Sequence, residues 1–85
     1  MSVNDVFVMH AWGKSVNADG IDMLADGNGE FSKALGLELD ATAFGMGHRS
    51  QRFALVADDG VVTHLMVEAP GEFRVSSAES VLAEL

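Results

Sequence analysis

Residues 52–68 read RFALVADDGVVTHLMVE, two apolar runs meeting at Asp59-Gly60. Asp-Gly tolerates the positive backbone angles of a two-residue type I′ turn, so the stretch predicts a β-hairpin at 53–67. That turn sets a register in which Val56 faces Thr63, Leu55 faces His64, Ala54 faces Leu65 and Phe53 faces Met66. Phe53 to Ala57 is apolar without interruption. Such a run belongs to a strand covered on both faces, as in a sheet between helices.

Outward from the hairpin, the remaining elements are shorter. Asn4 is read as the N-cap of a first helix, "DVFVMHAWGK", with Asp5 in its first turn. Val6, Met9 and Gly13 share a face while Phe7, Val8, Ala11 and Trp12 cover others, so this helix calls for burial on more than one side. "VNADG" reads as a loop and Ile21 to Ala25 as a short strand. Asp26 to Gly29 form a turn and cap for a second helix, about Glu30 to Leu35, with Phe31, Ala34 and Leu35 on its apolar face and Gly36 at its left-handed exit. "LELDATAFGMGHRS" reads as a loop with one helical turn. After Pro70, Ser76 and Glu79 form a capping box for a last helix whose stripe is Ala78, Val81, Leu82 and Leu85. The fold class is therefore α/β in the order α-β-α-β-β-α, within a single domain.

Composition narrows the partners. An 85-residue chain has a thin core, since it buries only about 60–65% of its unfolded surface. Its formal charge of −8 comes from thirteen acids against five cations, which leaves no basic patch for nucleic acid or an anionic membrane. No apolar run approaches the roughly 18 residues of a spanning helix, and "MSVNDVFVMH" lacks a basic leader, so the expected setting is cytoplasmic. There is no cysteine, hence no disulfide, thiolate metal site or thiol nucleophile in these residues.

Two of the five cations, Arg49 and Arg52, stand three apart just ahead of the apolar strand. A guanidinium there can hold a carboxylate, a phosphate or a polar oxygen substrate, and can favour the ionised form of a nearby thiol. It can equally be a structural salt bridge to an acid or a solvated charge. Arg52 shares a strand face with Ala54 and Val56, which directs its head; Arg49 is placed in the glycine-rich loop. "DGNGE" opens like a calcium loop but has Phe31 at the sixth position and Leu37 at the twelfth, where glycine and glutamate are required. His10, His48 and His64 lack ligand spacing, so neither a metal nor a cofactor is expected. Phe7, Met9, Trp12 and Met46 offer either a ligand pocket or plain core.

"SVNDVFVMHAWG", "MLADGNGEFSKALGLELD", "RSQRFALVADDGVVTHLMVE" and "GEFRVSSAESVLAEL" together resemble the C-terminal half of the type II, or atypical, peroxiredoxins of the redoxin family. The resemblance runs from Ser2 to Leu85 and implies a partial thioredoxin-like fold lacking the N-terminal catalytic half. It implies descent from thiol peroxidases that reduce hydrogen peroxide and alkyl hydroperoxides with electrons from glutaredoxin or thioredoxin. Arg52 matches the family's active-site arginine, which stabilises the thiolate and orients the peroxide. Arg49 has no role to inherit.

The departures are as informative. The proline, threonine and cysteine motif of the family's N-terminal half is missing, and the position near which some members carry a resolving cysteine is close to Val75. Without a thiolate the isolated chain is expected to be inactive. In the family's sheet the strand like Ile21 to Ala25 is an edge, separated from the hairpin by two strands absent here. Open edges and apolar faces then predict a homodimer or higher oligomer. A full-length relative or a separate N-terminal half are the other partners to expect. The contrasting reading is a non-catalytic module that uses the same half-fold for self-assembly or docking.

Overall fold

The computed structural model describes residues 1–85, which divide into two compact units, Met1–Ser50 and Gln51–Leu85. The first unit contains helix α1 (Val6–Ser15), helix α2 (Glu30–Ala34) and strands β1 (Glu38–Asp40) and β2 (His48–Ser50). The second contains strands β3 (Phe53–Asp58) and β4 (Val61–Val67) and helix α3 (Ala78–Glu84).

In the first unit, Asp5 rather than Asn4 caps α1. Its backbone is extended and its carboxylate accepts the Val8 N–H at 2.8 Å. Asn4 is engaged elsewhere: its amide donates to Ser2 Oγ at 2.6 Å. Of the apolar residues on α1 only Met9 is buried, at 1% exposure, whereas Phe7 is 80% exposed. The expected burial on several sides is therefore confined to one. Ile21 to Ala25 does not form a strand. Its first residue is held in a turn by Ile21 N–H to the Ala18 carbonyl, 3.2 Å, and the pairing reduces to one parallel bridge between Ser2 and Ala25.

Asp26 starts α2 by accepting from the N–H groups of Phe31 and Ser32 and from the Ser32 hydroxyl, at 3.1, 2.9 and 2.8 Å. The Ser32 N–H leads in holding the Asp26 carboxyl below its ordinary range, against burial, which pushes it up. The inward face of α2 carries Ser32, not the expected Phe31, Ala34 and Leu35, because that serine completes the cap. Gly29 precedes the helix at φ 72°, where an added Cβ would lie 3.8 Å from both Val3 methyls, and Gly36 leaves it at φ 72° as expected.

The stretch read as a loop contains an antiparallel ribbon, in which Glu38 pairs Ser50, Leu39 pairs Arg49 and Asp40 pairs His48. Between its strands lies the single helical turn, Thr42–Phe44. Strands of three residues show too little alternation to be seen in sequence. Arg49 consequently sits on β2 rather than in a loop. The buried apolar residues are Val3, Met9 and Ala41, all in this unit.

In the second unit the hairpin forms at Asp59-Gly60, with φ 51° and 79°. Next to the turn the pairing is as predicted, Asp58 with Val61 and Ala57 with Val62. A bulge then shifts it by one, so that Val56 faces His64, Leu55 faces Leu65, Ala54 faces Met66 and Phe53 faces Val67. Thr63 is the extra residue, and its hydroxyl donates to the Val56 carbonyl at 3.2 Å. The predicted cover over both faces of β3 is not present in this chain, where no residue of the strand is buried.

Helix α3 is capped by Ser77, whose Oγ accepts the Ser80 N–H at 3.1 Å, and not by the Ser76–Glu79 box. No residue of α3 is buried: Val81 is half-buried, while Leu82 and, just past the helix, Leu85 are 68% and 71% exposed, so the anticipated core stripe is mostly open to solvent. No helix is long and apolar enough to cross a membrane.

Candidate functional site

Arg52 immediately precedes β3, and its main chain is tied to the end of β4 by the Glu68 N–H, which donates to the Arg52 carbonyl at 2.9 Å. Its guanidinium lies over the Phe73 ring, 3.9 Å from the centroid, and its Nε donates to Ser76 Oγ at 3.0 Å. A cation on an aromatic face and a hydrogen bond through Nε fix the plane of the fork.

The loop that supplies Phe73 and Ser76 is organised by one anion. The Glu68 carboxylate, buried at 6% exposure, accepts from the N–H groups of Arg74, Val75 and Ser76 at 2.8–3.0 Å and from the Ser76 hydroxyl. Burial alone pushes this carboxyl up. The Ser76 hydroxyl and the three N–H groups outweigh that and bring its pKa down to about 2. Successive main-chain N–H groups converging on one carboxylate form a nest for negative charge. Val75 contributes only its N–H.

Within its own unit the polar partner of the Arg52 side chain is the Ser76 hydroxyl, and the ion pair in this loop is Arg74–Glu72 at 3.6 Å. Arg49 is structural: Nη2 donates to Asn4 Oδ1 at 3.0 Å, joining β2 to the segment ahead of α1. The two arginines thus belong to different units, each with its own partner.

Phe7, Met9, Trp12 and Met46 do not gather into a pocket, since Met9 is buried and the others are exposed. The cavity in the first unit, about 380 Å³, is lined instead by residues that include His10, Lys14, Asp19 and Met23. Glu68, Phe73 and Ser76 are the site residues that sequence reasoning missed. The signal was the paired serines after an acidic, aromatic loop, which read as a helix cap alone.

The geometry can be set beside known proteins. The Redoxin family model matches residues 1–82. The chain is 53% identical to Peroxiredoxin-2B of Arabidopsis thaliana over 85 residues, covering 99% of this chain and 52% of the relative. It is 51% identical to the chloroplastic Peroxiredoxin-2E of the same plant over 88 residues, covering 38% of that protein. Among solved structures it is similar to reduced Prx3 of Vibrio vulnificus in complex with hydrogen peroxide, with 62% identity and a TM-score of 0.92, covering 99% of this chain and 54% of that one. The α/β fold is thus that of part of a peroxiredoxin chain. The chain spans about half the length of the curated relatives it matches.

Proposed function

The chain belongs to the redoxin family, and from that membership we propose that residues 1–85 form one partial redoxin domain, the C-terminal half of a type II peroxiredoxin-like thiol peroxidase. Arg52 is its hydroperoxide-orienting residue. The observation that carries this reading is the guanidinium fixed on Phe73 and Ser76 in residues that include no cysteine. The hydrogen peroxide held by the Vibrio vulnificus relative supports the substrate class.

In the reaction proposed for the complete site, a cysteine thiolate attacks a peroxide oxygen. An S–O bond forms, the O–O bond breaks, sulfur is oxidised to a sulfenic acid, and the departing oxygen takes a proton to leave as water or an alcohol. A fixed guanidinium stabilises the thiolate beforehand and the negative charge that grows on the departing oxygen. This chain supplies those donors without the sulfur. By itself it turns over no peroxide; joined to a cysteine-bearing N-terminal half, it completes the site. Electrons then come from glutaredoxin or thioredoxin, and the setting is cytoplasmic.

Peroxide consumption with glutaredoxin or thioredoxin as reductant tests the reading. The pure chain is expected to show none, a mixture with a polypeptide carrying the family's N-terminal half is expected to show turnover, and Arg52→Ala is expected to abolish it. Turnover by the pure chain, or turnover in the mixture that survives Arg52→Ala, defeats the proposal.

A second reading is favoured by the open apolar surfaces: Val6 and Phe7 on α1 are 63% and 80% exposed, and Val61 and Leu65 on β4 are 65% and 56% exposed. Another copy of this chain is the proposed occupant, giving a non-catalytic homodimer or higher oligomer. Light scattering over a concentration series is the check, and a monomer throughout excludes self-assembly. The net charge of −8 argues against nucleic acid as a partner.

A further inference from the structure

The Arg52 side chain is exposed, and a free arginine side chain there would have several rotatable bonds to order before it could orient anything. Order comes from the direction in which protons are shared. Arginine Nε only donates, and an ionised carboxylate only accepts. Ser76 Oγ stands between the two, 3.0 Å from Arg52 Nε and in hydrogen-bond contact with Glu68 Oε2. Its single proton therefore goes to Glu68, and a lone pair is turned toward Arg52. The sequence of donors runs one way only, from Arg52 Nε–H through Ser76 Oγ–H to Glu68.

A carboxylate touching the fork directly would take two of its donors in a bidentate pair. An interposed hydroxyl takes one, Nε, and so differs in what it leaves for a ligand. The hydroxyl itself is held from behind, because Glu68 also binds the main-chain N–H groups of Arg74, Val75 and Ser76. Phe73 fixes the face of the fork and Ser76 fixes its rotation about that face.

We propose that Ser76 is a positioning residue for Arg52: its hydroxyl, oriented by Glu68, holds Nε and keeps the Nη groups for the oxygens of a peroxide. This rests on the role given to Arg52 above. The main-chain bond from Ser76 to Glu68 does not depend on the side chain, so removing the hydroxyl leaves the loop's anion nest in place.

The experiment uses the 85-residue chain labelled with ¹⁵N and follows hydrogen exchange at the arginine Nε–H groups. Ser76→Ala is expected to speed exchange at Arg52 by about tenfold, while Ser76→Thr, which keeps a hydroxyl, stays within about twofold of the parent. Arg49 and Arg74 are expected to be unchanged in both variants. The amide signals of residues 74–76 report whether the nest survives, and Ser76→Thr supplies the answer if the alanine variant disturbs it. Equal Arg52 exchange in the parent and Ser76→Ala, or a threonine variant that behaves like alanine with the nest intact, overturns the proposal. These outcomes are independent of turnover in the mixing experiment. Arg52 can be held by Ser76 in a mixture that consumes no peroxide, which would defeat the functional reading alone.

Discussion

The Thr63 hydroxyl donates to the Val56 carbonyl at 3.2 Å and stands 3.0 Å from His64 Nδ1. A hydroxyl has one proton to give, and a carbonyl can only accept it. With that proton on the carbonyl, His64 Nδ1 is expected to donate to Thr63 Oγ1, which is the Nδ1–H tautomer of neutral His64. The bulge that displaces the hairpin register is thereby expected to select a tautomer. ¹⁵N chemical shifts of the imidazole are expected to show that tautomer, and Thr63→Val is expected to abolish the preference. The same variant should cost about 0.5–1 kcal/mol in a urea titration, the usual net worth of such a bond.

Helix α3 separates two adjacent serines by role. Ser77 caps the helix, while the Ser76 side chain serves Glu68 and Arg52. Ser77→Ala is expected to lower stability by about 1 kcal/mol and to speed amide exchange in the first turn of the helix. Ser76→Ala is expected to leave that turn protected, as is Glu79→Gln. Equal fraying in both serine variants would contradict the assigned cap.

Acid should open the loop around Glu68 in a definite window. The folded pKa, about 2, lies below the ordinary value of 4.5. A depressed carboxylate contributes stability that is fully present above its unfolded pKa and is lost as pH falls through the folded one. Amides of Arg74, Val75 and Ser76 are therefore expected to hold their shifts down to about pH 4.5 and to collapse toward pH 2. In Glu68→Gln the pH dependence in that window should vanish. Retention of the parent's titration in the glutamine variant would reassign it to another acid.

Met9 is the apolar side chain most completely withdrawn from water, at 1% exposure. Met9→Ala removes it from a core that otherwise consists of Val3 and Ala41. The expected cost is about 2–5 kcal/mol, enough to unfold the first unit of so small a chain. Circular dichroism is expected to show loss of the α1 signal, whereas Phe7→Ala, at an exposed position of the same helix, is expected to preserve it.

These residues also indicate where sequence is legible. Asp59-Gly60 and Gly36 were readable because their backbone angles are demanded locally, and Asp26 because a cap is built from its own neighbours. The bulge at Thr63 was not, since a one-residue slip depends on hydrogen bonds across the strands and leaves no mark on apolar patterning. Ile21 to Ala25 has strand-like composition but only Ser2 to pair with, and pairing rather than propensity makes a strand. Arg52 was legible from its place just ahead of the apolar strand, and family likeness then gave it an expected role. Ser76 and Glu68 were not, because eight residues separate two groups that meet only when the loop folds.

Within Gln51–Leu85 the one buried residue is Glu68. An interior organised by a charge instead of by hydrocarbon gives up little apolar surface when it melts. Heat-capacity change on unfolding scales with such exposure, so this unit should melt with an increment well under the usual 12–15 cal/mol/K per residue and a correspondingly flat stability curve. Cold would scarcely trouble it. A calorimetric trace acquires an ordinary increment only once something greasy has settled on the hairpin, so the heat capacity itself reports whether that surface is covered.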